Sequence, residues 1–311
     1  MKIAFVTNPI ELFDIKKDST YAMIIEANSL GHEIYVFSHQ DIFFSNEDIK
    51  ATVSKIHIKI VGSWFEKEKK KDVNLNFFDV VIERTDPPVD IDYLNANLLL
   101  EIAAKKGVKI FNSPSSIRNY NEKIAILDFP SFITPTIVTN NNSVIKKFFK
   151  DHKEIILKPL DGMGGQGIFY INNLGLNFNS IIEKLTNFGR HKIMVQKYIP
   201  EIKDGDKRVL IIFGEIVPYC LARKPAKGEI RGNLASGGSG YAISINKRDK
   251  KIAETLAPIL LERGVVIAGL DIIGDYLTEV NITSPTCFQE IYKQTNFNIA
   301  KMFIKNIEKN I

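Results

Sequence analysis

The sequence is poor in cysteine and has no long hydrophobic run. Its 311 residues include two cysteines, Cys220 and Cys287, which are too few for a disulfide framework or a cysteine-rich zinc site. Unbroken apolar runs such as Val265–Ala268 are far shorter than the ~20 residues of a membrane-spanning helix. The first apolar run ends at the polar residues Thr7 and Asn8, so we expect no signal peptide. These absences lead us to expect a cytoplasmic protein without a transmembrane segment.

The sequence also lacks a strong excess of charge of one sign. Its 41 Lys and Arg against 36 Asp and Glu give a formal net charge of +5, and part of the excess lies in the run Lys67–Lys71, which Glu66 and Asp72 flank. Such a mixed run is typical of a solvated loop rather than of a track for nucleic-acid phosphates. We therefore expect small anionic ligands, and no nucleic-acid or membrane partner. At roughly 150 residues per domain, the length suggests about two domains.

The first third of the chain alternates short apolar strands with helical patterns. Strands are predicted at residues 2–7, 33–38, 79–83 and 108–111. Between them, apolar residues with helical spacing predict two helices, one from Asp18 to Gly31 and one ending at Gly107. This succession predicts a parallel sheet covered by helices. The first turn, at residues 8–10, lacks the glycines of a dinucleotide-binding loop.

Near residue 120 the pattern changes, and strands follow strands. We expect an α/β domain over residues 1–120 and then an α+β region with a central piece over 121–200 and a C-terminal piece over 201–311. Strands are predicted at residues 154–158, 168–171, 192–198, 208–213, 215–221, 265–273 and 276–281, and helices at 246–263 and from about 298. Residues 224–240 are rich in glycine and poor in large apolar groups, which indicates a mobile loop or lid.

A glycine cluster, Gly162–Gly167, separates two predicted strands. It fits the Gly-x-Gly-x-x-Gly pattern, but a dinucleotide-binding loop must open a helix, whereas residues 168–171 are β-branched or aromatic and predict a strand. Two interpretations remain: a flap whose backbone N–H groups close over a triphosphate, or merely a tight hairpin. Lys158 ends the strand before the flap, so its ammonium group either reaches solvent or binds the anion.

A second polar cluster lies on the last predicted hairpin. Glu279 and Asn281 are two residues apart in one strand and therefore face the same side, and Asp271 lies on the partner strand. Oxygen ligands without histidine or cysteine suit Mg²⁺, although each acid could also lie on a solvated face. If the three residues act together, the turn at residues 274–275 must be longer or the hairpin must contain a bulge. A regular two-residue turn puts Glu279 on the opposite face.

Three arginines, Arg208, Arg223 and Arg231, lie near this hairpin and the glycine-rich loop. An arginine offers a planar fork of N–H donors and stabilises charge on a transferring phosphoryl group. Each one alone could equally be a surface salt-bridge partner. Together they favour a site for an anionic substrate beside the flap.

These segments together resemble the ATP-grasp carboxylate–amine ligases, and the longer ones resemble the bacterial glutathione synthetases within that superfamily. The resemblance covers essentially the whole chain. It rests on Ile15–Ser19, Arg84–Pro88, Asn121–Lys123, Ile156–Gly165, Lys203–Arg208, Pro218–Arg223, Arg231–Ala235, Gly269–Asp275 and Thr278–Cys287. The chain departs from the pattern at Gln166 and Gly167, where small residues occur in relatives, and at Asn8, where an aspartate is expected.

The resemblance implies a pre-ATP-grasp domain followed by a two-part ATP-grasp fold. It also implies a homo-oligomeric enzyme that joins γ-glutamyl-cysteine to glycine through an acylphosphate, with ATP and two Mg²⁺ ions, or Mn²⁺ in their place. The implied ATP-binding residues are Lys123, Lys158, Gly162, Met163, Gly164, Gly165, Gln166, Gly167, Gln196 and Ile199, and the metal ligands are Asp271, Glu279 and Asn281. The implied catalytic residues are Arg208, Arg223 and Arg231, and the peptide-binding residues are Lys17, Ser19, Arg84, Asn233, Ser284, Pro285 and Thr286.

Two other functions stay open at this point. Another ATP-grasp ligase, such as one that makes D-alanyl-D-alanine or adds glutamate to a protein tail, would share every nucleotide-binding residue and differ in the loop 224–240 and around Arg84. The second alternative is a nucleotide-binding module without turnover, against which the chain retains all three implied metal ligands.

Overall fold

The computed structural model describes residues 1–59, 61–232, 234 and 237–311, and within them the strands form three sheets. The first sheet and its helices comprise, in chain order, β1 (Lys2–Val6), α1 (Ser19–Ser29), β2 (Glu33–Phe37), β3 (Ile42–Ser45), β4 (Asp48–Ile58), β5 (Phe65–Lys67), β6 (Lys71–Asn74), β7 (Val80–Glu83), α2 (Ile91–Lys105), β8 (Ile110–Phe111) and α3 (Pro114–Asn119). Among the described residues, no helix combines the length and apolar character needed to cross a membrane.

The first sheet has the strand order β3-β4-β2-β1-β7-β8, with β5 and β6 also paired to β4. Strands β2, β1, β7 and β8 are parallel, which confirms the parallel sheet predicted from the alternation of strands and helices. The strands β3 to β6 are antiparallel additions that the sequence pattern did not predict. The prediction of a loop over Lys67–Lys71 is therefore wrong in part. Its end residues lie in β5 and β6, although all five side chains are exposed as expected.

The second sheet contains β9 (Thr136–Thr139), α4 (Asn142–His152), β10 (Ile155–Pro159), β11 (Phe169–Ile171), α5 (Phe178–Leu185) and β12 (Ile193–Lys197). Its strands are antiparallel in the order β11-β10-β12-β9. Because side chains alternate along a strand, Ile155 and Leu157 of β10 pack with α4 and α5. Ile156 and Lys158 face the other side, which leaves one face of this sheet available for a ligand.

The third sheet and its helices follow as β13 (Asp206–Ile212), β14 (Glu215–Lys224), β15 (Ser239–Ser244), α6 (Lys247–Glu262), β16 (Ile267–Ile273), β17 (Tyr276–Asn281), α7 (Phe288–Thr295) and α8 (Ile299–Asn310). The antiparallel order is β15-β14-β13-β16-β17. Val209 and Ile211 pack in one core with residues of α6. Leu210 and Ile212 pack on the other face in a core shared with α1, α7 and α8. The expected loop 224–240 is shortened at both ends, because β14 runs to Lys224 and β15 begins at Ser239.

Asn112 ties the first sheet to the third. Its side chain is buried, and its amide group donates to the carbonyls of Ile267 (2.8 Å) and Ile282 (2.6 Å). Its carbonyl oxygen accepts from the backbone N–H groups of Val266 (2.8 Å) and Ile267 (3.0 Å). All four hydrogen-bonding positions of the Asn112 side chain are thus used. The bonds hold the start of β16 and the residue after β17 against the first sheet.

We predict that Asn112→Ala lowers the free energy of unfolding by roughly 2–4 kcal/mol, because it leaves buried backbone donors and acceptors without partners. Urea titration measures the loss. The control is Asn95→Ala, at an exposed position of α2, which should change stability by less than about 0.5 kcal/mol. Equal effects of the two substitutions would contradict a bridging role for Asn112.

Candidate active site

A cavity of about 350 Å³ lies between the second and third sheets. One wall is formed by β13, β14, β16 and β17, and the other by β10, β12 and the flap. The predicted site residues that line it are Lys123, Lys158, Gly162, Met163, Gly164, Gly165, Gln166, Gln196, Ile199, Arg208, Arg223, Arg231, Asp271, Glu279, Asn281, Ser284 and Thr286. The structure therefore brings most of the predicted residues to one cavity, although they come from distant parts of the chain.

Charged residues form a row across the third sheet because of its strand register. Arg208 of β13 lies opposite Asp271 of β16, which lies opposite Glu279 of β17. The register of β16 and β17 shifts between Asp271 and Ile272, so Thr278 is an additional residue on β17. This bulge confirms the sequence argument that Asp271 and Glu279 can share a face only if the hairpin is irregular. Asn281 lies two residues further on, on the same side as Glu279.

A buried ion network lies within this row. Arg208 binds Asp271 with both arms of its guanidinium group, Nε to Oδ1 at 2.5 Å and Nη2 to Oδ2 at 3.0 Å. Nη2 of Arg223 contacts Asp206 Oδ2 at 2.5 Å and Asp271 Oδ1 at 2.9 Å. All four side chains are buried. Each buried charge is thus offset by an opposite charge at hydrogen-bond distance, as burial requires.

The pKa values of the two aspartates in this network are shifted in opposite directions. Burial raises the pKa of Asp206 to about 6, the nearby Asp271 acts in the same direction, and Arg223 only partly opposes the shift. Although burial also acts to raise the pKa of Asp271, the guanidinium groups of Arg208 and Arg223 hold that pKa below its ordinary value. Asp271 is therefore the ionised anchor of the network. Asp206 did not figure among the predicted site residues, because its partner Arg223 is apparent only from the pairing of β13 with β14.

Lys123 links β17 to the flap. Its ammonium group lies 3.0 Å from Glu279 Oε1 and donates to the Gly162 carbonyl at 2.5 Å. The preceding residue, Glu122, accepts hydrogen bonds at Oε1 from Ile282 N, Thr283 N and Thr283 Oγ1, all within 3.1 Å. Burial, and then the charge of Glu279, raise the pKa of Glu122. Sequence reasoning missed Glu122, although it lies in the same Asn-Glu-Lys segment as Lys123.

Lys158 and Gln196 project into the cavity from the second sheet. Lys158 lies near the end of β10 and lines the cavity, and anion binding by its ammonium group stays a prediction. Burial lowers the pKa of Lys158 and the charge of Lys123 adds to this effect, whereas Glu279 opposes it. Gln196 is buried, and its amide group donates to Thr136 Oγ1 at 3.1 Å. The ammonium groups of Lys123 and Lys158 thus belong to the same cavity as the flap.

The flap approaches both its own strand and the loop that follows β14. A Cβ atom at Gly162 would lie 2.8 Å from the Pro159 side chain and 3.0 Å from the Gln166 carbonyl oxygen, so the close turn there requires glycine. Arg231 pairs with Glu229 at 2.6 Å, and its Nη1 lies 3.5 Å from the Gly165 carbonyl oxygen. The loop therefore reaches the flap across the mouth of the cavity.

The remaining predicted residues that the structure describes do not line the cavity. Gly167 packs against Pro159 behind the flap. Arg84 is buried and donates to the Pro285 carbonyl at 3.0 Å, and Ser19 accepts from the Phe288 N–H at 3.2 Å. Lys17 is exposed on the surface. Asn233 lies outside the described residues. Within the described residues, no cluster of three or more His, Cys, Asp or Glu side chains is placed to hold a metal ion.

The comparisons with known proteins agree with this geometry. The fold is that of the ATP-grasp ligases. D-cycloserine synthetase DcsG has a TM-score of 0.69 at 13% identity, covering 99% of each chain. The ATP-grasp ligase PsnB, solved with a precursor peptide and AMPPNP, has a TM-score of 0.63 at 16% identity, covering 99% of this chain and 97% of that one. These two likenesses establish the fold of the chain.

The family follows from the sequence comparisons. The N-terminal domain of prokaryotic glutathione synthetase matches residues 1–118, and its ATP-grasp domain matches residues 122–296. Glutathione synthetase of Ralstonia nicotianae is 46% identical over 99% of this chain and 96% of the relative, and that of Neisseria meningitidis serogroup A is 48% identical over 97% of each. The chain belongs to the prokaryotic glutathione synthetase family.

We predict that Asp271→Asn lowers the free energy of unfolding by about 3–5 kcal/mol, because it leaves two buried arginines without their shared anion. Asp275→Asn, at the exposed turn four residues away, is the control and should leave stability within about 0.5 kcal/mol. Guanidinium chloride titration in the absence of nucleotide measures both. An Asp271→Asn protein as stable as the control would show that the network does not support the sheet.

Proposed function

We propose that this chain joins γ-glutamyl-cysteine to glycine and hydrolyses ATP to ADP and phosphate as it does so. The observation that carries the proposal is that Lys123, Lys158 and the flap line the same cavity as Asp271, Glu279 and Asn281. Membership of the glutathione synthetase family supports the choice of substrates. We also propose, as the sequence led us to expect, that the enzyme is cytoplasmic and homo-oligomeric.

The proposed reaction has two steps in one site. An oxygen of the cysteinyl carboxylate attacks the γ-phosphorus of ATP, and ADP leaves. The glycine amine then attacks the carbonyl carbon of the acylphosphate, and phosphate leaves from a tetrahedral intermediate. A carboxylate is a poor electrophile in water, so phosphorylation supplies the leaving group and the protein supplies position and charge stabilisation.

The cationic residues have separate tasks in this proposal. Lys123 and Lys158 hold the phosphates of ATP, and N–H groups of the flap at 162–167 cover them. Arg208 and Arg223 keep their Nη1 groups without a protein partner in the described part of the chain, and these groups face the acylphosphate. Arg231 and its loop exclude water, which would otherwise hydrolyse that intermediate.

The adenine ring would lie at the apolar end of the cavity, beside Gln196 and Ile199. Ile156, Met163 and Ile202 line the same cavity. An aromatic base gains from burial against such groups. The peptide would lie toward Ser284 and Thr286, which line the cavity. The resemblance also assigns Lys17, Ser19, Arg84, Asn233 and Pro285 to peptide binding.

The donor set fits Mg²⁺, with Mn²⁺ as a second choice. Glu279 and Asn281 are half-buried. Their side chains and that of Asp271 on β16 lie on the same face of the third sheet. Both oxygens of Asp271 accept arginine N–H groups, yet a carboxylate has about four lone-pair positions. Two ions held by these residues would offset charge on the phosphates and orient them for transfer.

The test of the proposed function is phosphate release with defined substrates. With ATP and Mg²⁺, we expect phosphate release that requires both γ-glutamyl-cysteine and glycine, with glutathione formed in equal amount by chromatography. A parallel reaction with D-alanine in place of γ-glutamyl-cysteine and glycine tests for D-alanine–D-alanine ligase activity. Release with D-alanine alone would overturn the proposal, and ATP binding without any substrate-dependent release would indicate a module without turnover.

We predict that Glu279→Gln lowers kcat on the order of a thousandfold, because a metal ligand supplies several kcal/mol of charge stabilisation. The fold should persist, since Glu279 is half-buried and its carboxylate makes a single ion pair. Glu215→Gln at an exposed position of β14 is the matched control. Thermal melting and Mg²⁺ titration of the protein with ADP accompany the kinetics. Unfolding, or an unchanged Mg²⁺ affinity, would contradict the metal role.

A further inference from the structure

Asp86 is the one charged group that the first sheet contributes to the cavity. Of the described residues before the Asn121–Lys123 segment, only Asp86 and Pro87 line it. They follow β7, at the edge where the parallel strands of the first sheet end. In open α/β sheets this edge is the usual place for ligands. Neither residue was among those that the sequence predicted for the site.

The backbone of Asp86 is held in place from two directions. Its N–H donates to Asn8 Oδ1 at 2.9 Å, and the N–H of Thr85 donates to the buried carboxylate of Glu83 at 2.7 Å. Across the domain junction, the Ser284 hydroxyl donates to Asp86 Oδ1 at 2.6 Å. Asn8, where relatives are expected to have an aspartate, thus has a definite task here. The Asp86 carboxylate is positioned before any substrate binds.

Asp86 differs from the other carboxylates of the cavity in its partners. Among the described residues, Asp206 and Asp271 pair with arginines and Glu279 pairs with Lys123. Glu122 is largely enclosed and accepts three hydrogen bonds at Oε1. Asp86 is exposed and forms no ion pair within the described part of the chain. Its second oxygen, Oδ2, is left for a cationic group of a ligand.

The distance between β17 and Asp86 is compatible with the length of the proposed peptide. Ser284 lies three residues beyond Asn281, which is at most about 10 Å along an extended chain. In γ-glutamyl-cysteine, seven bonds separate the reacting carboxylate carbon from the glutamyl amino nitrogen, about 8–9 Å when extended. A peptide with its reacting carboxylate beside Asn281 can therefore bring its ammonium group to Asp86.

We propose that Asp86 binds the α-ammonium group of the γ-glutamyl residue and selects substrates that carry it. The inference rests on the proposed function and adds a specificity residue to it. The buried Arg84 guanidinium lies close by, with its Nη1 lacking a partner in the described structure.

The test compares two substrates in two proteins. N-glutaryl-cysteine keeps the glutamyl carboxylate and lacks only the ammonium group. For the wild-type protein we expect kcat/KM to be on the order of 10- to 100-fold lower with glutaryl-cysteine, as for the loss of a hydrogen bond to a charged group. Asp86→Asn should lose a similar factor with γ-glutamyl-cysteine and almost nothing further with glutaryl-cysteine. KM for ATP and for glycine should not change.

Asp92→Asn, at an exposed position in the first turn of α2, is the matched control and should keep the full discrimination between the two substrates. If Asp86→Asn discriminates as strongly as the wild type, the inference is overturned, whether or not thermal melting shows a loss of stability. A rise in KM for glycine instead would place the glycine amine at Asp86 and also overturn it. Absence of turnover with γ-glutamyl-cysteine in the wild type is a different result, because it overturns the proposed function itself.

Discussion

The pairing of Arg208 and Arg223 with Asp206 and Asp271 is the interaction on which the site depends. Removing four charges from water is expensive, and it is tolerated here because every charge has an opposite partner at hydrogen-bond distance. The partners lie on β13, β14 and β16, so the network also specifies the register of three strands. A slip of one residue in any of them would turn a charge toward the apolar core beneath α6. Charge pairing and strand register therefore support each other.

The same network extends to the rest of the cavity through Glu279 and Lys123. Glu279 lies beside Asp271 because of the bulge at Thr278, and Lys123 joins Glu279 to the flap at Gly162. Asn121 contributes a further bond, from its amide group to the Leu160 carbonyl at 3.0 Å. The three-residue segment at 121–123 thus contacts both β17 and the base of the flap. These contacts tie the base of the flap to the third sheet.

Local patterns predicted the parts of the fold and site that depend on neighbours in sequence. Alternation of strands and helices predicted the parallel strands, and spacing of two along a strand predicted that Glu279 and Asn281 share a face. Strands β3, β5 and β6 escaped prediction because they are short, and β15 because it is polar and contains glycine. The eleven-residue β4 did carry a strand pattern, with Ile49, Ala51 and Val53 alternating and buried, which sequence reasoning missed. Asp206 and Asp86 escaped for another reason. Each becomes part of the site only through a partner far along the chain, Arg223 in β14 and Ser284 after β17.

The charges that line the cavity argue for bound metal ions more strongly than the net charge of the chain does. In the described residues six cationic side chains line it, from Lys123, Lys158, Lys197, Arg208, Arg223 and Arg231, against five carboxylates, from Asp86, Glu122, Asp206, Asp271 and Glu279. The wall is therefore almost neutral, and the basic composition of the chain does not by itself explain how a triphosphate with several negative charges would be held. Carboxylates next to phosphates are repulsive unless a divalent cation lies between them, and such a cation uses both as ligands. In the proposed function, the acids that offset the arginines in the protein would thus also favour a metal-bound nucleotide.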